Sequence, residues 1–314
     1  MRSDCGCPTQ HIETCTFRPV TLADKPWMDR IIRLEDARSS DWCFTSIFVW
    51  NDTFHQEVAN CWDRLLVKLM YHDGEPFYAF PIGQGDLEPV IWTLHQDAAR
   101  YDVSLKIRGI TTKTMGELES AFPGRFEYSP DNFAFDYVYE AEQLATLSGR
   151  KLSAKRNHIN RFMENHPDWV FEPITPETLP QCIAMTRVWE TRHQKDANFS
   201  AELTALQQAF DHYEALGLEG GLLRVGGEVI AFAIGEPLNS DTYIIHFEKA
   251  FSDIQGAYPM INREFARLIR KTHPHLQYIN REDDLGIESL KRAKKSYYPA
   301  FMVEKYAAIW RDDA

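Results

Sequence analysis

The sequence predicts a mixed α/β fold built from two similar halves. Its 314 residues suit two compact units better than one. Short apolar or alternating runs of strand length are interleaved with stretches of helical periodicity. The order of elements recurs: α-α-β-β-β-α-β-α-β in the first half, β-α-α-β-β-β-α-β-α-β in the second. No obvious residue-level identity accompanies the repeat, so a duplicated architecture is the economical reading.

In the first half, Asp24-Lys25-Pro26 is a helix start, with Asp as N-cap and Pro just inside. "WMDRIIRLE" continues that helix and "FTSIFVWNDTF" reads as a second. The runs "FHQEVANCW", "RLLVKLMYHDG" and "EPFYAFPIG" are strands, the last two parted by the hairpin signal Asp73-Gly74. A helix "PVIWTLHQDAARY", a strand "SLKIRGI", a helix "KTMGELESAF" and a strand "FAFDYVYE" complete the half.

The second half opens with the basic helix candidate "GRKLSAKRNHINRF" and the strand "WVFEPI". Thr175-Pro176 starts one helix, and another runs from about Ser200 to Leu216. "GLLRV" and "EVIAFAIGE" form a hairpin about Gly226-Gly227, followed by the strand "DTYIIHFEKA". The helix "GAYPMINREFARLIRKT", the strand "LQYIN", the helix "GIESLKRAKKSYY" and the strand "AFMVEKYAAIW" end the chain. Antiparallel strands, then a strand–helix–strand crossover, then a helix and last strand is the element order of the GNAT acyltransferase fold. The expected division is a disordered segment over 1–16, one GNAT-like domain over 17–145, and a second over 146–314 carrying the active site.

The formal charge is 34 − 46 = −12, so RNA or anionic headgroups would have to meet a local basic patch. No apolar run approaches the roughly 20 residues that span a bilayer. The opening "MRSDCGCPTQ" lacks the apolar core of a secretory signal, and a cytoplasmic location is expected. Cys43, Cys61 and Cys182 lie in apolar periodic segments and are expected to be buried thiols. Cys5, Cys7, His11 and Cys15 match no standard zinc spacing, and no metal is expected.

Four stretches are candidates for chemistry. In "HFEKAFSDIQGAYPMIN", a strand gives way at Gln255-Gly256 to a helix near Tyr258-Pro259, where backbone N–H groups and the helix dipole suit an anion. The same turn also reads as ordinary loop geometry. Strand parity puts His246 and Glu248 on one face, with Lys249 beside them, so Glu248 is a candidate general base or simply half of an ion pair. In "INREDDLGIESLKRAKKSYYP", parity groups Asn280 with Glu282, while Asp283 and Asp284 read equally well as site residues or as acids favoured at a helix start. If this strand and "DTYIIHFEK" are parallel neighbours, Glu248, Asn280 and Glu282 converge where ligands bind in open α/β sheets. Lys294, Ser296 and Tyr297 follow on the lysine-rich helix, although lysines late in a helix also favour its negative end. Finally Arg150, Lys151, Lys155, Arg156, His158 and Arg161 form the clearest local cationic cluster, suited to phosphates.

Long motifs in the right order carry a resemblance: "FDYVYEAEQLATLSGRKLSAKRNHINRF", "AFAIGEPLNSDTYIIHFEKAFSDIQGAYPMINREFA" and "YINREDDLGIESLKRAKKSYYPAFMVEKY", with "FRPVTLADKPWMDRII" and "SSDWCFTSIFVWND" earlier. From about Phe17 onward the chain resembles a bacterial family related to the C-terminal catalytic domain of phosphatidylglycerol lysyltransferase. The resemblance implies a tandem GNAT fold akin to the aminoacyl-tRNA-dependent peptidoglycan-bridge transferases. It implies aminoacyl transfer to an amine or hydroxyl acceptor on a small molecule, peptide or lipid headgroup. On that reading Glu248, Glu282, Asn280 and Lys294 are catalytic. Lys151, Lys155, Arg156, Asn157, Gln255, Gly256 and Tyr258 bind the donor. His246, Lys249, Asp283, Ser296 and Tyr297 line the substrate pocket. No permanently bound cofactor is expected, with aminoacyl-tRNA as co-substrate. Acyl-CoA is the alternative donor, though "SDIQGAY" is poorer in glycine and cations than the usual GNAT phosphate loop. A non-catalytic anion-binding module is the reading outside enzymology.

Overall fold

The computed structural model describes residues 15–71, 74–193 and 198–312. Cys5, Cys7, His11, Asp73 and nearly all of the 1–16 segment lie outside the described residues.

The strands of the first half are β1 (Arg18–Pro19), β2 (Glu57–Cys61), β3 (Arg64–Met70), β4 (Pro76–Ala79), β5 (Ile82–Gly83), β6 (Lys106–Ile110), β7 (Phe126–Pro130) and β8 (Asp136–Glu140). Its helices are α1 (Lys25–Glu35), α2 (Phe44–Val49), α3 (Asn51–Phe54), α4 (Leu87–Ala99), α5 (Thr112–Ala121) and α6 (Ala141–Thr146). The second half adds β9 (Val170–Pro173), β10 (Glu219–Val225), β11 (Glu228–Pro237), β12 (Thr242–Ala250), β13 (Tyr278–Asn280), β14 (Phe301–Val303) and β15 (Tyr306–Trp310). Its helices are α7 (Ser153–Asn165), α8 (Leu179–His193), α9 (Asn198–Asp211), α10 (Tyr213–Leu216), α11 (Ala257–Thr272) and α12 (Glu288–Lys295).

Two mixed sheets result, ordered β1-β2-β3-β4-β6-β15-β7, with β5 beside β3, and β9-β10-β11-β12-β13-β8-β14. Each has one parallel pair at its centre, β4 with β6 and β12 with β13. This is the GNAT strand order twice over, as the sequence suggested. The halves are nevertheless not contiguous in the chain. β8 leaves the first half to join the second sheet, and β15 returns from the second half to join the first. The single final strand expected over "AFMVEKYAAIW" is therefore two strands of different sheets, parted by Glu304 and Lys305.

The crossing segments touch: the Asp131 N–H donates to the Lys305 carbonyl at 2.9 Å. Lys305 itself is buried, and its ammonium donates to Asp136 Oδ1 at 2.9 Å, Asp41 Oδ1 at 2.8 Å and Ser40 Oγ at 3.1 Å. Asp136 is wholly buried and also accepts the Ser40 N–H and hydroxyl, each at 2.7 Å. A buried lysine is tolerable only when its charge is matched and its donors are satisfied, as they are here.

Packing follows the same interlock. One apolar core fills the first sheet and continues through α8 and α9 onto Phe232, Ile234 and Phe247 of the second. A second core packs α6, α7 and α11 against the opposite face of the second sheet. Cys15 and Cys61 form a disulfide, correcting the expectation of a thiol at Cys61; Cys43 and Cys182 are buried free thiols. Among the described residues, no helix is long and apolar enough to cross a membrane.

Candidate active site

β12 and β13 run side by side only from Thr242↔Tyr278 to Ile244↔Asn280. β12 then continues to Ala250 while β13 stops, so the two strands part. At this splay opens a cavity of about 730 Å³ walled by both halves. Trp50, Phe54, Val67, Leu69 and Phe77 give it an apolar side, and Lys155, His246, Glu248, Arg281, Glu282 and Asp283 a polar one.

His246 is placed by a β-bulge. Ile234 pairs with Phe247 and Gly235 with Ile245, which leaves His246 as the extra residue on β12. Its ring, only 2% exposed, sits between two carboxylates. Nδ1 lies 2.8 Å from Glu282 Oε1, and Nε2 lies 3.2 Å from Glu236 Oε1 and 3.8 Å from Cys43 Sγ. Burial opposes the imidazolium, but the bonds to Cys43, Glu236 and Glu282 outweigh it and hold the His246 pKa well above its ordinary value.

Glu282 faces the cavity because its backbone is forced there. Its φ of 56° is in the left-handed region, costly for a residue with a Cβ. Three bonds hold it: its N–H donates to Asn280 Oδ1 at 2.7 Å, its carbonyl accepts from the Tyr137 N–H at 3.1 Å, and the Arg281 N–H donates to the Tyr137 carbonyl at 3.0 Å. Lys294, buried beneath, donates from Nζ to the carbonyls of Arg281, at 2.6 Å, and Asp283. Burial lowers its pKa.

The next carboxylate along β12 is bound differently. Glu248 accepts from Arg281 Nη2 at 3.1 Å and from Asn262 Nδ2 at 2.9 Å. The Arg281 guanidinium lies against the rings of Tyr297, 5.1 Å to the centroid, and Tyr139, 5.7 Å. Arg281 Nη1 and Asn262 Oδ1 are buried with no hydrogen-bond partner among the described residues. Lys155 sits 4.0 Å above the Tyr297 ring; burial first, and the Arg281 charge second, bring its pKa down to about 8. Burial likewise pushes Asp283 up to about 6.

Of the residues singled out in the sequence, Lys155, His246, Glu248, Lys249, Tyr258, Glu282, Asp283, Lys294 and Tyr297 line the cavity. Lys249 is engaged by Glu202 at 2.6 Å and lies 4.2 Å from the Trp189 ring. The others stand outside. Asn280 is fully buried and donates to the Arg38 carbonyl at 2.8 Å and to Asp136 at 3.1 Å, so it positions Glu282 from behind rather than facing the cleft. Lys294 lines the cavity, but its ammonium is spent on the carbonyls of Arg281 and Asp283. Arg156 caps carbonyls of the preceding loop, including that of Gly149 at 2.7 Å, Lys151 lies over the Tyr298 ring, and Asn157 is exposed. Ser296 donates to the Ala293 carbonyl at 2.6 Å. Asp284 accepts from the Tyr137 hydroxyl at 2.6 Å and acts structurally.

Gly256, with Gln255 exposed beside it, does not form the expected anion cradle. A Cβ on Gly256 would collide with the His158 carbonyl and come within 2.9 Å of Phe162 Cβ, because α7 packs directly on the start of α11. The Ala257 N–H is taken by the Ile254 carbonyl at 3.1 Å, and Pro259 has none to give. Arg281, Asn262, Glu236 and Cys43 were not among the sequence candidates; the cavity's basic–acidic pairing of Arg281 with Glu248 was hidden by strand parity, which set the two on unrelated faces.

Comparison with known proteins gives the family and the fold. Residues 32–309 match the family described as phosphatidylglycerol lysyltransferase, C-terminal, and the chain belongs to that family. A crystal structure of a conserved protein of unknown function from Bacteroides thetaiotaomicron VPI-5482 is 38% identical, with a TM-score of 0.88 over 95% of this chain and 100% of that one. The C-terminal domain of a putative lysylphosphatidylglycerol synthetase from Agrobacterium fabrum shares the fold at 13% identity, with a TM-score of 0.66 over 93% of each chain. FemX shares it at 10% identity, with a TM-score of 0.57 over 95% of this chain and 98% of that one. A curated relative, uncharacterized protein MYCGA3080 of Mycoplasmoides gallisepticum (strain R(low / passage 15 / clone 2)), is 25% identical over 174 residues, a match spanning about half of each chain.

Proposed function

We propose that this member of the phosphatidylglycerol lysyltransferase C-terminal family is an aminoacyltransferase, moving an aminoacyl group from aminoacyl-tRNA to an amine or hydroxyl acceptor. One observation carries the reading. At the strand splay a buried guanidinium whose Nη1 has no partner among the described residues, Arg281, and a carboxylate held in a strained backbone, Glu282, face one cavity.

The acceptor's N–H or O–H group attacks the ester carbonyl, and Glu282 takes its proton, with His246 holding the carboxylate in place. Arg281 Nη1 donates to the oxyanion of the tetrahedral intermediate. The intermediate then collapses: the bond to the ribose oxygen breaks, and that oxygen takes the proton back from Glu282. Glu248 and Asn262 fix the guanidinium plane. The Lys155 ammonium meets the last phosphate of the donor, and the exposed Arg150, Lys151 and Arg161 along α7 meet its backbone. The apolar wall formed by Trp50, Phe54 and Phe77 suits the apolar part of the acceptor or of the aminoacyl side chain. Acceptors to be compared are small amines, peptides and lipid headgroups.

The donor is tested by thermal stabilisation with a non-hydrolysable aminoacyl-tRNA, CoA and acetyl-CoA. A ligand at a hundred times its Kd adds about 2.7 kcal/mol. Stabilisation by the tRNA analogue alone supports the reading; stabilisation by CoA alone replaces it with acyl-CoA chemistry, and silence from every donor favours a binding module.

A further inference from the structure

Beneath the cavity floor, Cys43 Sγ, Glu236 Oε1 and His246 Nε2 converge. Their separations are 3.1 Å for sulfur to carboxylate, 3.2 Å for carboxylate to imidazole and 3.8 Å for sulfur to imidazole. We propose that these three side chains are the protein ligands of one zinc ion.

The dimensions match. Zinc bonds of about 2.3 Å to sulfur and about 2.0–2.1 Å to nitrogen and oxygen, at tetrahedral angles, set ligand atoms roughly 3.3 to 3.6 Å apart. The three observed edges lie within a few tenths of an ångström of that range. All three ligand atoms lie within 4.8 Å of one another, the only such His/Cys/Asp/Glu group of three or more among the described residues. The same three atoms are joined by hydrogen bonds, Glu236 Oε1 accepting from the Cys43 thiol and from the His246 ring with Sγ and Nε2 3.8 Å apart, and zinc would take the place of the protons that they share.

The surroundings are those of a metal-binding histidine. His246 turns its other ring nitrogen to Glu282 at 2.8 Å, the carboxylate partner that fixes the tautomer of a zinc-bound imidazole. The donor set of thiolate, imidazole and carboxylate suits zinc better than magnesium or calcium, which take oxygen ligands. The ligands also come from distant parts of the chain. Cys43 precedes α2 in the first half, whereas Glu236 and His246 lie on adjacent strands β11 and β12 of the second. A zinc ion here would clamp the two halves together directly under Glu282, and three protein ligands leave a fourth position for a small ligand.

The test is metal analysis of the full chain purified without chelators, together with cobalt substitution of the wild type. One equivalent of zinc per chain, and a thiolate-to-cobalt charge-transfer band, are expected. Cys43→Ser should abolish the band and the tight equivalent, while Cys182→Ser, and Cys5→Ser with Cys7→Ser, keep both. The wild-type cobalt spectrum is independent of how any variant folds. No stoichiometric metal in the wild type, a cobalt spectrum without the thiolate band, or loss of the metal in the Cys5/Cys7 variant instead of the Cys43 variant would each overturn the assignment. Because the readout is metal content, a missing zinc would leave the transferase reading standing, and a failed transfer assay would leave the zinc.

Discussion

Asn280 Oδ1 accepts the backbone N–H of Glu282 at 2.7 Å, while its amide nitrogen reaches back to Asp136 and the Arg38 carbonyl. One buried side chain therefore couples the strand exchange to the conformation of the proposed base. Asn280→Ala removes three hydrogen bonds at once, to the Glu282 N–H, Asp136 and the Arg38 carbonyl, and a loss of roughly 2–4 kcal/mol is expected. Glu282→Gln should instead spare stability. Urea titrations of the two variants check the contrast, and equal stability for Asn280→Ala and wild type would remove the positioning role.

Lys305 is the only cation bonded to the wholly buried Asp136 among the described residues. Lys305→Met strands that carboxylate, and a loss of about 3–5 kcal/mol is expected. Adding Asp136→Asn should recover part of it, since a neutral amide is cheaper to bury than an unpaired charge. The four unfolding midpoints form a double-mutant cycle; additive effects would mean that the two residues do not act as a pair.

Lys155 has a folded-state pKa of about 8, below the ordinary lysine value of 10.5. The folded chain thus disfavours the ammonium, so stability should rise as pH climbs from about 8 towards 10.5, where the unfolded chain holds the extra proton. Anion binding should move the opposite way, weakening above about pH 8 as the charge is lost. Inorganic phosphate or oligonucleotide affinity measured from pH 6 to 9.5 reads this out. Lys155→Arg should flatten the profile and Lys155→Met should lower affinity below about pH 8 and approach wild type above it; an unchanged profile in either variant would take Lys155 out of anion binding.

Gly256 occupies a φ of +89° with the His158 carbonyl where a Cβ would go. Gly256→Ala should cost about 1–3 kcal/mol through backbone strain and displacement of α7. The same substitution should leave CoA without effect on the melting temperature, as in the wild type. A variant as stable as wild type would mean that α7 yields freely at this point.

Much of this arrangement was legible in the sequence. The parallel neighbours β12 and β13 followed from a strand–helix–strand order, and their shared C-terminal edge located Glu248 and Glu282. Strand parity then misled at Asn280 and Arg281. β13 is only three residues long and ends at Asn280, so Arg281 and the left-handed Glu282 no longer obey the alternation. The strand exchange was hidden for a related reason. Only Glu304 and Lys305 separate β14 from β15, and a short apolar run carries no signal that its two ends belong to different sheets. Cys43, read only as a buried thiol, and Glu236 were not placed at the site because only the fold brings Cys43, so distant in the chain, to His246. The short β7 and the six-residue α6 were too brief and too polar at their ends to stand out.

The central claim is aminoacyl transfer at Glu282, and the most direct measurement follows radiolabel from charged tRNA. The full chain is mixed with labelled aminoacyl-tRNA and, in turn, free amino acids, a lysine-containing peptide and phosphatidylglycerol vesicles. Label should move to one acceptor class, Glu282→Gln should slow the transfer by about 10²–10⁴ with its fold intact, and labelled acetyl-CoA should give no product. Transfer from acetyl-CoA instead of tRNA, no transfer to any acceptor, or a Glu282→Gln variant as fast as wild type would contradict it.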